Sequence, residues 1–426
     1  MSALKVVEIC AGAGGQALGL ENAGFEHVLA VELDPNACAT LRANRPDWKV
    51  AEGDVADEGT WRPEDYKDDL DLLAGGVPCP PFTIAGKQLG AADERDLFAW
   101  AVGLAGRMQP KALLLENVRG LSASRFSAYR QHVLDTLLEL GYVGEWRLLQ
   151  ASDFGVPQLR PRFVLVALKE EYAGYFHWPE ESEQPPAPSV GEALKDLMAA
   201  EGWEGAEEWA ARADTIAPTI VGGSKKHGGA DLGPSRAKAA WAGLGVDAWG
   251  VADEAPGPGW KPAVTAKGEK PGPKLTTRMA ARIQGFDDSW KFEGRKTTTY
   301  RQIGNAFPPP VAAAVGRSIA KALRKEGEPR ERRDAVHDHV YAILREASAP
   351  ITVDQILVKL EKRGSKAMAV PDIERHLSYL SRDFHIESTE RKPGVLAYQL
   401  DGFKAFVGQD GHERHELFKA NKAKIS

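Results

Sequence analysis

The sequence predicts an α/β fold over residues 1–170, a doubly wound parallel sheet with helices on both faces. Five short apolar runs, at 4–9, 27–33, 70–76, 111–117 and 162–168, lack the polar alternation of a half-solvated strand. Between them, GGQALGLENAGF and DLFAWAVGLAGRM space their apolar residues as helices do. The first run also passes directly into Ala11-Gly12-Ala13-Gly14-Gly15 before a helix begins. Glycines there let the backbone turn sharply and approach a ligand at a helix N-terminus.

The rest of the chain divides by composition. Over 171–273, Gly, Pro and Trp accumulate (EQPPAPS, VGGSKKHGG, EAPGPGWKPA), and strand–helix alternation fades into an irregular domain. Helical pattern returns over 274–325 in TTRMAARIQGF and PPVAAAVGRSIAKALRKEG. The charged run RKEGEPRERRD (324–334) reads as a solvated linker that opens the final region, 326–426. Within that region, three amphipathic helices are followed by a two-stranded ribbon, HIESTERK and VLAYQL, the order of a winged-helix-like α+β domain.

With 426 residues, 43% of them hydrophobic, the chain is long enough for two or three domains. No apolar run approaches the ~20 residues needed to span a bilayer. Cys10, Cys38 and Cys79 are too few and too scattered for a disulfide framework or a zinc site. A reducing cytoplasm is therefore expected. The net charge of −6 is an average that leaves room for a local basic face.

Chemistry gathers where strands end. Val31-Glu32-Leu33-Asp34 closes the second strand, where a carboxylate can accept hydrogen bonds from ribose hydroxyls. Gly53-Asp54-Val55 follows, with Asp54 placed for an adenine amino group. Together with the glycine turn, these acids point to an adenosyl cofactor. The next strand runs into Val77-Pro78-Cys79-Pro80-Pro81, and a cysteine between prolines on a loop is not a core thiol. Glu116-Asn117-Val118 ends another strand, and Gln158-Leu159-Arg160-Pro161-Arg162 opens the last. Alternate residues on a strand share a face, so Arg160 and Arg162 can reach one ligand.

The order GGVPC, ENV, Q-x-R-x-R and RQIGNAFPPPVA (301–312) resembles the DNA cytosine-5 methyltransferase family over about residues 4–320, the kind found in bacterial restriction–modification systems. The resemblance implies a Rossmann-like catalytic domain, S-adenosylmethionine as cofactor, and a target-recognition domain at 171–273. It implies Cys79 as the nucleophile on cytosine carbon-6 and Glu116 at N3. Arg160 would support the base and keep the thiol's surroundings positive, and Arg162 would organise the site. The positions expected around the cofactor are Ala11, Gly12, Gly14, Gly15, Glu32, Leu33, Asp54, Val55, Pro78 and Asn305. The target base must leave the duplex to be reached, and residues 80–95 read as a loop that closes over it. Asp93 and Arg95 resemble the family's D-x-R block. Two departures stand out: Glu8-Ile9-Cys10 where Asp-Leu-Phe is common, and Pro80-Pro81 where Gln-Gly is usual.

Double-stranded DNA is the expected partner, with Gln158, Thr219, Lys225, Lys226 and Arg236 as candidate contacts. A cognate restriction endonuclease is the expected functional companion, no membrane is involved, and a monomer is expected. For the C-terminal domain, a DNA-contacting helix at Pro371–Phe384 competes with a protein-contact role. An RNA methyltransferase on the same scaffold and a silent DNA-binding regulator remain the rival readings. The long Trp-rich recognition segment opposes the first, and intact Cys79, Glu116 and Arg160 oppose the second.

Overall fold

The structure, a computed structural model, describes residues 3–67, 69–77, 94–222, 230–262, 264, 271–331, 336–364 and 368–403. Its central sheet has seven strands: β1 (Leu4–Ile9), β2 (Phe25–Glu32), β3 (Val50–Glu52), β4 (Leu72–Gly75), β5 (Ala112–Val118), β6 (Tyr142–Gln150) and β8 (Pro161–Lys169). The two-residue β7 (Gln158–Leu159) lies just before β8. Helices α1 (Gly15–Asn22), α2 (Pro35–Asn44), α3 (Glu94–Met108) and α4 (Ser127–Glu139) connect the strands, and α5 (Glu170–Ala173) follows β8.

The strand order is β3-β2-β1-β4-β5-β8-β6. The first five strands are parallel, as expected. Within this mostly parallel sheet β8 alone is reversed, running antiparallel to both β5 and β6. The reason is the length of the β6–β8 connection. A 3-10 turn at Ala151–Phe154 and Gly155 at φ +77 reverse the chain within a stretch too short for a crossover helix.

The segment after β8 forms α6 (Val190–Met198), α7 (Ala206–Arg212), β9 (Ala217–Pro218) and α8 (Ser235–Gly243). A capping box at Ser189 and Glu192 starts α6. Next come α9 (Thr277–Ile283), α10 (Lys296–Asn305) and α11 (Pro309–Leu323). Trp209 and Trp241 share one buried core with Leu18, Leu41, Met279 and Trp290, so the irregular segment is packed onto the sheet domain. Helix α11 crosses α1 at close range. A Cβ on Gly19 would stand 2.5 Å from that of Ala312, and one on Gly316 would stand 2.8 Å from that of Ala23.

The C-terminal unit comprises α12 (His339–Glu346), β10 (Ile351–Thr352), α13 (Val353–Lys362), α14 (Val370–Asp383), β11 (Phe384–Lys392) and β12 (Val395–Phe403). Its antiparallel sheet has the order β10-β12-β11, the winged-helix-like arrangement expected. The unit has its own core, including Ile343, Ile356, Leu377 and Phe384, and docks on α4. There the buried Asp338 carboxylate accepts the Ser127 hydroxyl at 2.6 Å and faces His376 Nε2 at 2.7 Å. His132 stacks on Phe403 with centroids 4.6 Å apart. Among the described residues, no helix is long and apolar enough to cross a membrane.

Candidate active site and cofactor cleft

The carboxyl ends of β1, β2 and β4 open onto one edge. β1 is followed by Cys10, whose φ of +50 is unusual for a residue with a side chain, and the turn continues through Gly12 at +54 and Gly14 at +86. Among the described residues, a Cβ on Gly12 would meet nothing within 4 Å. A Cβ on Gly14 would stand 2.6 Å from the Trp290 ring, and one on Gly15 would collide with the Phe307 carbonyl. Ala11 is buried, its amide bonded to the Val31 carbonyl at 3.1 Å.

Glu32 closes β2. Its carboxylate accepts the amides of Gly12 at 2.7 Å and Asp34 at 2.8 Å. Burial pushes its pKa above the ordinary carboxylate value, and these amide bonds oppose the shift. Each oxygen keeps a second lone pair for a ligand hydroxyl. Leu33, beside it, is 48% exposed despite its size. Asp54 accepts the Ala56 amide at 3.0 Å, and Val55 is buried beneath it. Burial raises the Cys10 thiol pKa, and the charges of Glu32 and Asp54 raise it further, so this cysteine stays protonated.

The second cluster lies at the end of β5. Antiparallel register sets Val118 opposite Arg162 and Glu116 opposite Val164, which makes Glu116 and Arg162 diagonal neighbours on one face. Arg162 Nε lies 2.6 Å from Glu116 Oε1, with both side chains buried. Burial raises the Glu116 pKa, while the Arg162 and Arg160 charges oppose it. A Cβ on Gly76 would stand 3.4 Å from Glu116 Oε2, and the Asn117 amide donates to the Val77 carbonyl at 3.2 Å. The Glu116 carboxyl thus sits at the root of the segment that carries Pro78 and Cys79, two residues outside the described ones.

Arg160 is almost wholly buried. Its Nη1 donates to the Ile220 carbonyl at 2.6 Å, and its Nη2 donates to Gly304 at 2.6 Å and Ala306 at 3.1 Å. Its Nε has no acceptor among the described residues. One side chain therefore fastens three stretches of chain.

Gln158 requires a correction. It has no exposed surface, donates to Ile283 at 3.2 Å and Gln284 at 2.7 Å, and accepts the Ile220 amide at 2.7 Å. With its amide engaged in the interior, Gln158 braces the strand before Arg160 and has no face for DNA. Thr219 is half-buried, its hydroxyl bonded to the Leu159 carbonyl. Arg236 is exposed on α8, and Asn305, exposed at the end of α10, packs on Gly222. Lys225 and Lys226 lie outside the described residues, as do Asp93 and the Arg95 side chain.

Sequence reasoning missed Trp290. Its indole N–H donates to the Ala13 carbonyl at 3.1 Å, inside the glycine turn, and Arg45 stacks above its ring at 5.2 Å. The glycines fix no partner by themselves, and nothing in GFDDSW marks it as that partner. Arg282, on α9, reaches the other way, bonding the Ala193 carbonyl at 3.0 Å and pairing with Asp196 on α6.

The C-5 cytosine-specific DNA methylase family matches residues 4–321. The chain is 62% identical to the type II methyltransferase M.NaeI of Lentzea aerocolonigenes, with both chains covered completely. It is 53% identical to the type II methyltransferase M.NgoMIV of Neisseria gonorrhoeae, over 75% of this chain and 98% of that relative. Among solved structures, a Spodoptera frugiperda DNMT2 variant aligns with a TM-score of 0.50 and 19% identity, over 76% of this chain and all of the other. The shared fold and the extended sequence match lead to one assignment: the chain belongs to the C-5 cytosine-specific DNA methylase family.

Proposed function

We propose that the chain methylates carbon-5 of a cytosine flipped out of double-stranded DNA, with S-adenosylmethionine as donor and Cys79 as transient nucleophile. The observation that carries the reading is the buried Glu116–Arg162 pair at the root of the Cys79 segment. A carboxyl whose pKa is raised by burial can hold a proton toward the pyrimidine N3. Arg162 keeps it oriented. As Cys79 adds to carbon-6, electron density moves into the ring, and Glu116 stabilises it at N3. Carbon-5 thereby becomes nucleophilic; once it bears the methyl group that S-adenosylmethionine would supply, loss of its proton to solvent with elimination of the Cys79 thiolate restores the aromatic ring. Arg160, through the carbonyls of Ile220, Gly304 and Ala306, positions the walls of this pocket.

The cofactor cleft suits an adenosyl ligand. The space beside Gly12 has no side chain to fill it, Glu32 retains lone pairs for ribose hydroxyls, and Leu33 offers an exposed apolar surface to a purine. Asp54, Val55, Ala11, Gly14, Gly15, Pro78 and Asn305 complete the proposed lining. When bound, S-adenosylmethionine supplies the methyl group in electrophilic form.

Residues 1–170 and 274–325 would catalyse, 171–273 would choose the target, and 326–426 would add a linker and an appended domain. Thr219, Lys225, Lys226 and Arg236 are the proposed DNA contacts. Similarity to a type II methyltransferase over both full lengths supports a role in host-DNA protection in the cytoplasm, beside a cognate restriction endonuclease. Bisulfite sequencing of DNA from a methylation-free host expressing the chain tests the reading. Protected cytosines within one short motif are expected, and none with Cys79→Ser. A soluble wild-type chain that protects no cytosine would overturn it.

A further inference from the structure

Trp249 is 74% exposed, more than any other large hydrophobic residue described. Its loop is not loosely held. Val246, Ala248 and Val251 around it are buried, and the Leu232 amide bonds the Ala248 carbonyl at 3.0 Å. The Asp247 amide bonds the Pro273 carbonyl at 3.0 Å, and the Asp247 carboxylate caps the Trp249 amide at 2.9 Å. Lys238 Nζ sits 3.8 Å from the indole centroid and is itself fixed by Asp231 at 2.9 Å. A desolvated ammonium on one ring face fixes the indole's orientation and leaves the opposite face open. Holding so large an apolar surface rigidly in water is unfavourable unless a partner covers it.

The surroundings indicate which partner. A Cβ on Gly233 would stand 3.7 Å from the Val221 side chain, next in sequence to the Ile220 carbonyl that Arg160 holds. Gly222 packs on Arg301 and Asn305 of α10. The loop therefore adjoins the chain that runs over the catalytic edge. Arg236 is exposed on the same helix as Lys238, and Lys274 Nζ, 3.8 Å from the Asp247 carboxylate, stands 3.6 Å from where a Cβ of Gly250 would be. Basic groups around an open aromatic face suit a polyanion with flat bases.

We infer that Trp249 is a DNA contact that fixes the duplex in the recognition segment. Its open face packs on a base or sugar beside the flipped cytosine, while Arg236 meets a backbone phosphate. The inference rests on the proposed reading of the chain as a DNA methyltransferase.

The test uses the full chain and a duplex carrying the motif found by bisulfite sequencing. Trp249→Ala raises the KM for DNA about tenfold or more, leaves the KM for S-adenosylmethionine unchanged, and Trp249→Phe recovers most of the loss. Trp249→Gln gives the same result should the alanine variant fold poorly. An unchanged KM for DNA in an active, folded variant overturns this inference alone. An altered sedimentation coefficient with unchanged KM also overturns it, by assigning the surface to self-association. Absence of methylation by the wild-type chain sinks the underlying reading and the inference with it.

Discussion

Arg160 donates to the Ile220 carbonyl at 2.6 Å, so a side chain of the Q-x-R-x-R stretch holds backbone inside the 171–273 segment. Arg160→Ala would leave the Ile220, Gly304 and Ala306 carbonyls without this donor in the interior. Chemical denaturation should show a loss of about 3–5 kcal/mol. Arg160→Lys should recover little, because a single ammonium cannot span acceptors fixed for a planar fork. Wild-type stability in either variant would count against this bracing role.

Glu116 gives a pH signature. Burial lifts its pKa above the ordinary carboxylate range, so the protonated form persists to higher pH than in an exposed glutamate. If the proton on Glu116 serves N3, kcat declines as pH rises through that elevated value. Glu116→Gln should lower kcat by about 10²–10⁴-fold and abolish that limb of the profile. Matching profiles for wild type and variant would rule the role out.

Trp290 should act on the methyl donor and not on DNA. Trp290→Phe retains an aromatic ring beside Gly14 but loses the bond to Ala13, worth about 1 kcal/mol. The KM for S-adenosylmethionine should rise about fivefold, with kcat and the KM for DNA unchanged. Gly14→Ala should be far worse, since φ +86 and the Trp290 ring both oppose a Cβ. Steady-state kinetics in each substrate separates these effects. Equal rises in both KM values would indicate general damage.

His132 makes docking of the C-terminal unit acid-sensitive. Burial, aided by the nearby Arg345, lowers its pKa to about 4, while Asp135 opposes the shift. Between an unfolded value near 6.5 and this lower one, the unfolded state binds the proton more readily, so stability falls as pH drops through that window. The full effect is about 3 kcal/mol. Limited proteolysis at 324–334 should accelerate between pH 6.5 and 4, and less so in His132→Phe. Identical pH dependence in the two chains would exclude His132 as the cause.

What the sequence made legible follows burial. β1, β2, β4, β5 and β8 are covered on both faces, so their residues form apolar runs that announce themselves. β6, YVGEWRLLQ, lies at the sheet edge with mixed exposure, and its pattern passes for loop. β3 is three residues long and carries no period. The order of motifs located Glu116 and Arg162, but not the antiparallel register that makes them a pair. Gln158 is a related case, its burial invisible in the local sequence. Residue type suggested a contact with bases, whereas its partners, Ile220, Ile283 and Gln284, lie far along the chain. Trp249 and Trp290 stand 41 positions apart with opposite environments, one solvated and one buried, and composition alone does not separate them.

The close crossing of α1 by α11 has a consequence for biosynthesis. The glycine turn is made among the first 15 residues, yet Trp290, Phe307 and α11, which pack against it and its helix, come near the end of the family region. A ribosome adds roughly 5–20 residues per second, so roughly 15–60 s separate the two. Throughout that interval the nascent glycine turn lacks the Trp290 ring and the Phe307 carbonyl that pack against Gly14 and Gly15, so the proposed cleft is complete only once nearly all of the family region has been made.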